Sequence, residues 1–152
     1  MKIKKIRSKI KNLKFGKNCT IMEPSNIYGS KFGKNVFVGP FVEIQKNSNI
    51  GDNTRVQSHS VICEKVKIGK NCFIGHGTTF INDDFKKGKI NRNPKYFKKT
   101  IIANDVIIGS NSTILPVYIC KGSVIGAGSV VTKNIKKKGV YVGNPAKYLR
   151  KI

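Results

Sequence analysis

Residues 32–80 read FGKNVFVGPFVEIQKNSNIGDNTRVQSHSVICEKVKIGKNCFIGHGTTF. Every sixth residue from the first, namely Phe32, Val38, Ile44, Ile50, Val56, Ile62, Ile68, Ile74 and Phe80, is large and apolar. At 39% hydrophobic residues, nine successive hits arise by chance about 2 times in 10,000. A second register runs four residues behind: Val36, Val42, Ser48, Thr54, Ser60, Val66, Cys72 and Thr78 are all small or β-branched. Asn35, Asn47, Asn53 and Asn71 fall three after the large residue, where a left-handed backbone is best tolerated. Neither an α-helix nor a hairpin repeats every six residues. The unit is a short strand that points one large and one small residue inward, followed by a turned corner. Three units make a triangular coil of about eighteen residues, and coils stack as a parallel β-helix.

Outward from this stretch the code recurs at Phe15, Ile21 and Ile27, slips by one residue, and returns at Ile102, Ile108 and Ile114. It slips again before Ile119, Ile125 and Val131. The expected organisation is one domain over 1–152, with a cap at 1–13, coils at 14–81 and 101–138, an ejected loop at 82–100 and a tail at 139–152. In the cap, Ile3, Ile6, Ile10 and Leu13 stand at helix-like spacing among lysines. It reads either as a cover for the open first coil or as a basic amphipathic anchor on anionic lipid. The loop is polar and Lys-rich, and a long loop leaving a regular solenoid is a functional candidate. The tail leaves the coil at Gly143-Asn144-Pro145 and is expected to end in a short basic helix.

Composition narrows the function classes. The chain has 30 Lys and Arg against 7 Asp and Glu, a formal charge of +23. Such an excess opposes compaction and calls for multiply anionic partners: phosphorylated small molecules, nucleic acid or an acidic membrane surface. Nucleic acid has only charge in its favour, because the aromatic residues fall mostly on repeat positions rather than among the lysines. No apolar run reaches the roughly 18 residues of a spanning helix and no secretory h-region is present, so a cytoplasmic location is expected. Cys19, Cys63, Cys72 and Cys120 form no C-x-x-C pair, and the two histidines, His59 and His76, are too few for a three-histidine zinc site of the β-helical carbonic anhydrase kind. No metal is expected.

With IGHGTTFIND at 74–83, VIGAGSVVTKN at 124–134 and GNPAK at 143–147, the chain from Phe15 onward resembles the hexapeptide-repeat acyltransferases. Among them it is most similar to the bacterial N-acetyltransferases of nucleotide-linked amino sugars. That resemblance implies a left-handed winding, a homotrimer and a site in each groove between subunits. It implies acetyl-coenzyme A along the coils, with Gly109, Ser110 and Ala127 at its pantetheine arm and Lys133 and Lys147 at its phosphates. The implied acceptor is a dTDP- or UDP-linked amino sugar for surface glycans such as lipopolysaccharide O-antigen. Asn82 and Asp83 would bind the sugar. Weak association with an anionic membrane surface is a further expected partner contact. A sugar O-acetyltransferase and a non-catalytic β-helix scaffold are the alternatives.

Acetyl transfer to an amine needs an aimed neutral amine, a stabilised oxyanion and a proton acceptor. Residues eighteen apart stack, so Glu64 lies under Asn82 where the loop departs, and His76 lies over Ser58 on another edge. In a trimer the two edges of neighbouring chains can face each other. His76, at a turn, is a general base, a hydrogen bond in the subunit seam or a solvated corner. Where related enzymes carry a base histidine in a Glu-His-Asp run, this chain has Cys63-Glu64-Lys65. The proton therefore goes to His76, to Glu64, or to the departing thiolate.

Overall fold

The computed structural model describes residues 10–85 and 88–152. The described residues form nineteen short strands, most of two residues, and all but the last wind into a three-sided parallel prism. The first face stacks 20–21, 37–38, 55–56, 73–74, 107–108 and 124–125; the second stacks 26–27, 43–44, 61–62, 79–80, 113–114 and 130–131; the third stacks 31–32, 49–50, 66–68, 100–102 and 118–119. Neighbours on a face pair in parallel, as in Phe37 with Arg55 and Arg55 with Phe73, eighteen residues apart.

Both inward registers are buried. Val38, Ile44, Val56, Ile62, Ile74, Phe80, Ile108 and Ile114 have no exposed surface, and neither do the smaller Ser48, Thr54, Ser60 and Thr78. Each large side chain so buried contributes about 1.5–3 kcal/mol. The small register favours hydroxyls because each satisfies a corner carbonyl of the next coil: Ser48 Oγ donates to Cys63 O (2.9 Å), Thr54 Oγ1 to Gly69 O (2.8 Å) and Ser60 Oγ to Gly75 O (3.0 Å). Among the described residues only Ser30 Oγ is buried without a partner.

Two expectations need correction. Phe15 keeps the register of Phe32, through the Lys14–Lys31 bridge, yet it is 67% exposed. It lies at the open end of the prism, and Leu13 packs against the core instead. The segment 1–9, which carries most of the expected cap, lies outside the described residues. The tail is also not helical: Lys147–Arg150 turns back through Gly143 (φ +98°) and pairs antiparallel with Val140–Val142. Four residues are too few to offset helix nucleation. An open sheet edge gives them a ladder at once, and Tyr148 meets Tyr141 edge-on with ring centroids 5.6 Å apart.

Candidate active site

Three edges join the faces, and they differ in what they carry. The edge between the third and first faces is lined by Asn35, Asn53, Asn71 and Asp105, all at positive φ (54–60°). Each amide donates to the residue above: Asn35 to Asn53 (2.9 Å), Asn53 to Asn71 (3.0 Å) and Asn71 to Asp105 (3.0 Å). The hydrogen bond from Asn71 is the main cause holding the Asp105 carboxyl below its usual range, with Lys121 3.5 Å away adding to it.

The edge between the first and second faces carries the histidines. His76 is exposed, and its Nδ1 lies 2.7 Å from Ser58 Oγ, the residue stacked beneath it. For His76 to act as a base, Nδ1–H must donate to Ser58 Oγ, leaving the Nε2 lone pair outward. The column continues as Ser110 and Ala127, linked through the backbone by Asn111 N–H to His76 O (2.7 Å) and Gly128 N–H to Ser110 O (2.8 Å). Gly75 and Gly109 permit this close stacking. A Cβ on Gly75 would stand 2.5 Å from Ser110 N, and one on Gly109 2.4 Å from Ala127 N. This strip of backbone flanked by glycine and small residues suits a chain of amides such as pantetheine. Lys133 lies on a different edge and Lys147 in the C-terminal strand, both exposed, so the five expected coenzyme residues do not line one strip of a single chain.

The edge between the second and third faces holds Glu64 and the root of the loop. Glu64 is 5% exposed; its Oε1 accepts from Asn47 Nδ2 (2.9 Å) and its N–H donates to Gln45 Oε1 (3.1 Å). Asn82 stacks on it, donating from Nδ2 to Glu64 O at 3.4 Å. Asp83 is committed to the loop itself. Its carboxylate accepts from Asn91 N (2.7 Å), Asn91 Nδ2 (2.8 Å) and Phe85 N (3.2 Å), and the Asn91 backbone bond leads the causes that lower its pKa. Neighbouring Cys63 is an inert thiol, its pKa raised by burial and then by Glu43.

Lys65 and Phe41 are functional candidates that pattern reading passed over. Lys65, at φ +70°, sends Nζ to three loop carbonyls: Pro94 O (2.6 Å), Phe97 O (3.1 Å) and Lys95 O (3.3 Å). These are the carbonyls around the 3-10 turn Pro94–Tyr96, so one ammonium uses all three donors to fasten the far end of the loop. At the near end Lys98 N–H donates to Asn82 O (2.8 Å) and Lys98 Nζ pairs with Asp84 at 2.8 Å. Phe41 is 57% exposed at φ +58°. A signal for both was present: they stand three after an inward residue, where the register mostly places Asn, with Gly77, His59 and Asp105 among the other departures.

Glu64 and Asn82 therefore share one edge, while His76 occupies another edge of the same chain. Charge is divided in the same way. Segments 22–28, 39–45, 57–64, 75–84, 109–115 and 126–132, which form the histidine edge, the second face and the start of the Glu64–Asn82 edge beyond it, contain no Lys or Arg. They hold Glu23, Glu43, Glu64, Asp83 and Asp84, five of the seven acids. Among the described residues no group of three or more His, Cys, Asp or Glu is arranged to hold a metal, and no helix is long and apolar enough to cross a membrane.

Comparison with known proteins agrees with this architecture. The family described as bacterial transferase hexapeptide (six repeats) matches residues 29–64 and 47–82, and the hexapeptide repeat of succinyl-transferase matches 99–133. The bifunctional protein GlmU of Wigglesworthia glossinidia brevipalpis is 48% identical over 110 residues, covering 72% of this chain and 22% of that protein. The chain thus spans about a quarter of the length of the curated relatives it matches. Among solved structures, the hexapeptide-repeat acetyltransferase VCA0836 of Vibrio cholerae, complexed with acetyl coenzyme A, is 28% identical with a TM-score of 0.68, over 81% of this chain and 70% of that one. AntD, an N-acyltransferase from Bacillus cereus in complex with dTDP and coenzyme A, shares the fold at 23% identity and a TM-score of 0.74, over 93% of this chain and 81% of that one.

Proposed function

Because the chain belongs to the bacterial hexapeptide-repeat transferases, we propose that it moves an acetyl group from acetyl-coenzyme A to the amino group of a nucleotide-linked amino sugar. The observation that carries this reading is the combination, on one prism, of the side-chain-poor column Gly75–His76, Gly109–Ser110 and Ala127 with a polar loop stapled at Asn82. The column takes the pantetheine arm, and Lys133 and Lys147, from neighbouring chains, meet the phosphates. The neutral amine attacks the thioester carbonyl, the carbon–sulfur bond breaks, and the coenzyme leaves as a thiolate. The proton shed by the amine passes to His76 Nε2, with Ser58 fixing the ring, or to that thiolate. Glu64, already bonded to Asn47 and covered by Asn82, orients the loop root rather than taking the proton. Asn82 touches the sugar, and Asp83 holds the loop that presents it.

Charge zoning supports a homotrimer. Chains of +23 repel each other unless they meet through surfaces without like charge, and the lysine-free second face and histidine edge supply such surfaces. Three chains joined there bring the histidine edge of one toward the Glu64–Asn82 edge of the next. A panel of nucleotide-linked amino sugars, incubated with acetyl-coenzyme A while free thiol release is followed, tests the assignment. Transfer to amines supports it; activity on sugar hydroxyls alone replaces it with an O-acetyltransferase, a reading that the Ser58-oriented His76 also fits. No coenzyme binding by calorimetry would leave a scaffold.

A further inference from the structure

Near the N-terminal end of the lysine-free sector lies a hollow of about 240 Å³, lined by Pro24, Ser25, Asn26, Phe41, Val42 and Glu43. Its wall is unusual. Phe41 is more than half exposed, so it adds little to the core, yet it holds a left-handed backbone (φ +58°) that bulky side chains rarely adopt. Its ring stacks on His59, also left-handed at φ +60°, with centroids 4.9 Å apart and planes 11° from parallel. Strain of this kind at a surface persists where the position is used. Two flat rings, one coil apart, make a platform, with Phe41 in the wall of the hollow.

Beside the platform stand an amide, Asn26, and a carboxylate, Glu43, at paired positions of adjacent coils. Glu43 also accepts from Gln45 Nε2 (2.9 Å), and Gln45 Oε1 accepts from the Glu64 N–H (3.1 Å), so a polar track runs from the hollow to the loop root. The Gly77 position, next to His76, lies two coils above Phe41 in the same left-handed column, about 10 Å along the axis at the spacing of stacked strands. That is about the reach of a ribosyl diphosphate.

We propose that this hollow is the subsite for the nucleobase of the acceptor, stacked on Phe41, with Glu43 and Asn26 reading its edge. The proposal rests on the transferase reading above and deepens it. A carboxylate accepts from a ring N–H, and an amide donates to the carbonyl beside it. The amino group and ring nitrogen of adenine or cytosine satisfy the same acceptor and donor, so the pair holds a nucleobase by its hydrogen-bonding edge as a class. Since the sector has no lysine or arginine, the diphosphate is neutralised from across the groove by exposed lysines on the facing Glu64–Asn82 edge of a second copy, such as Lys46.

Calorimetry on the intact protein, with coenzyme A held at saturation so that its own adenine site is filled, tests this with dTDP, UDP, GDP, ADP and CDP. Each nucleoside diphosphate should bind at least about tenfold more tightly than inorganic pyrophosphate, which has no base to stack, and Phe41→Gly should weaken the five by about tenfold or more through lost stacking. Glycine adopts φ +58° without strain, so the same variant should melt at an unchanged or higher temperature, which a merely structural Phe41 would not allow. Glu43→Gln should weaken all five diphosphates by about threefold or more through the lost charged acceptor. Affinity within about twofold of wild type in Phe41→Gly, equal affinity for pyrophosphate and the nucleoside diphosphates, or no binding by wild type would each overturn the subsite. If no nucleotide binds but simple amino sugars are acetylated, the subsite falls and the transferase stands. If nucleoside diphosphates bind more tightly than pyrophosphate and no acyl group moves, the reverse holds.

Discussion

Two edges of this prism use the same left-handed corner for different ends. On the asparagine edge, Asn35, Asn53 and Asn71 occupy it at little cost, and their side chains lace the coils together until Asp105 ends the ladder. On the histidine edge the matching corners carry Phe41, His59, Gly77 and Asn111, and the column beside them carries Ser58 and His76. The first edge spends its polar groups on the fold. The second leaves an exposed imidazole and an exposed phenyl ring in conformations that folding alone does not favour. Where a repeat departs from its cheapest residue, and no packing explains the departure, chemistry is the place to look.

The largest expected effect falls on the second edge. His76→Ala should lower kcat for acetyl transfer by about 10²–10⁴-fold if the imidazole is the base, with little change in melting temperature, as followed by thiol release. A loss below about threefold would hand the proton to the thiolate and weaken the contrast between edges. Asn71→Ala tests the first edge: an alanine at φ +54° and two severed ladder bonds should cost about 1–3 kcal/mol of stability by urea unfolding, with both substrate KM values unmoved. Lys65→Met should raise the acceptor KM about tenfold, leave the acetyl-coenzyme A KM within about twofold, and expose 88–99 to protease. Lys65→Arg should recover part of that loss, whereas a parallel rise in both KM values would make Lys65 merely structural.

The smallest effect is a pH dependence. Asp105 and Asp83 have carboxyls lowered by hydrogen bonds from Asn71 and Asn91 respectively. A folded-state pKa below the unfolded one adds stability that is full above the ordinary carboxylate range near pH 4 and is lost as pH falls through the lower folded value. Melting temperature should therefore decline on acidification below about pH 4, and less steeply in Asp105→Asn. Because both groups touch solvent, the slope is shallow.

Much of the fold was legible because inward residues repeat every six positions and nothing else has that period. Val38, Ile44 and Ile62 announce themselves by spacing, and Ser48 and Ser60 by theirs. Phe15 did not, since its register is right and only its place at an open end exposes it. The tail was misread because Lys147–Arg150 is too short for its own pattern to decide, and the unpaired edge of Val140–Val142 decides for it. In the site, the stacking of Asn82 over Glu64 and of His76 over Ser58 followed from an eighteen-residue coil. The engagement of Asp83 with Asn91 did not, because contacts inside an irregular loop have no period to betray them. Lys65 was read only as the last residue of Cys63-Glu64-Lys65, when its partners, Pro94 to Phe97, lie some thirty residues away.

The strands on either side of the ejected loop pair as though nothing lay between them: Thr79 with Thr113 on one face and Val66 with Thr100 on another. The masonry of the column is thus indifferent to what hangs from it at Asn82. Exchanging that appendage for one of different length or chemistry leaves every course above and below in place, so a change of clientele requires no rebuilding of the tower.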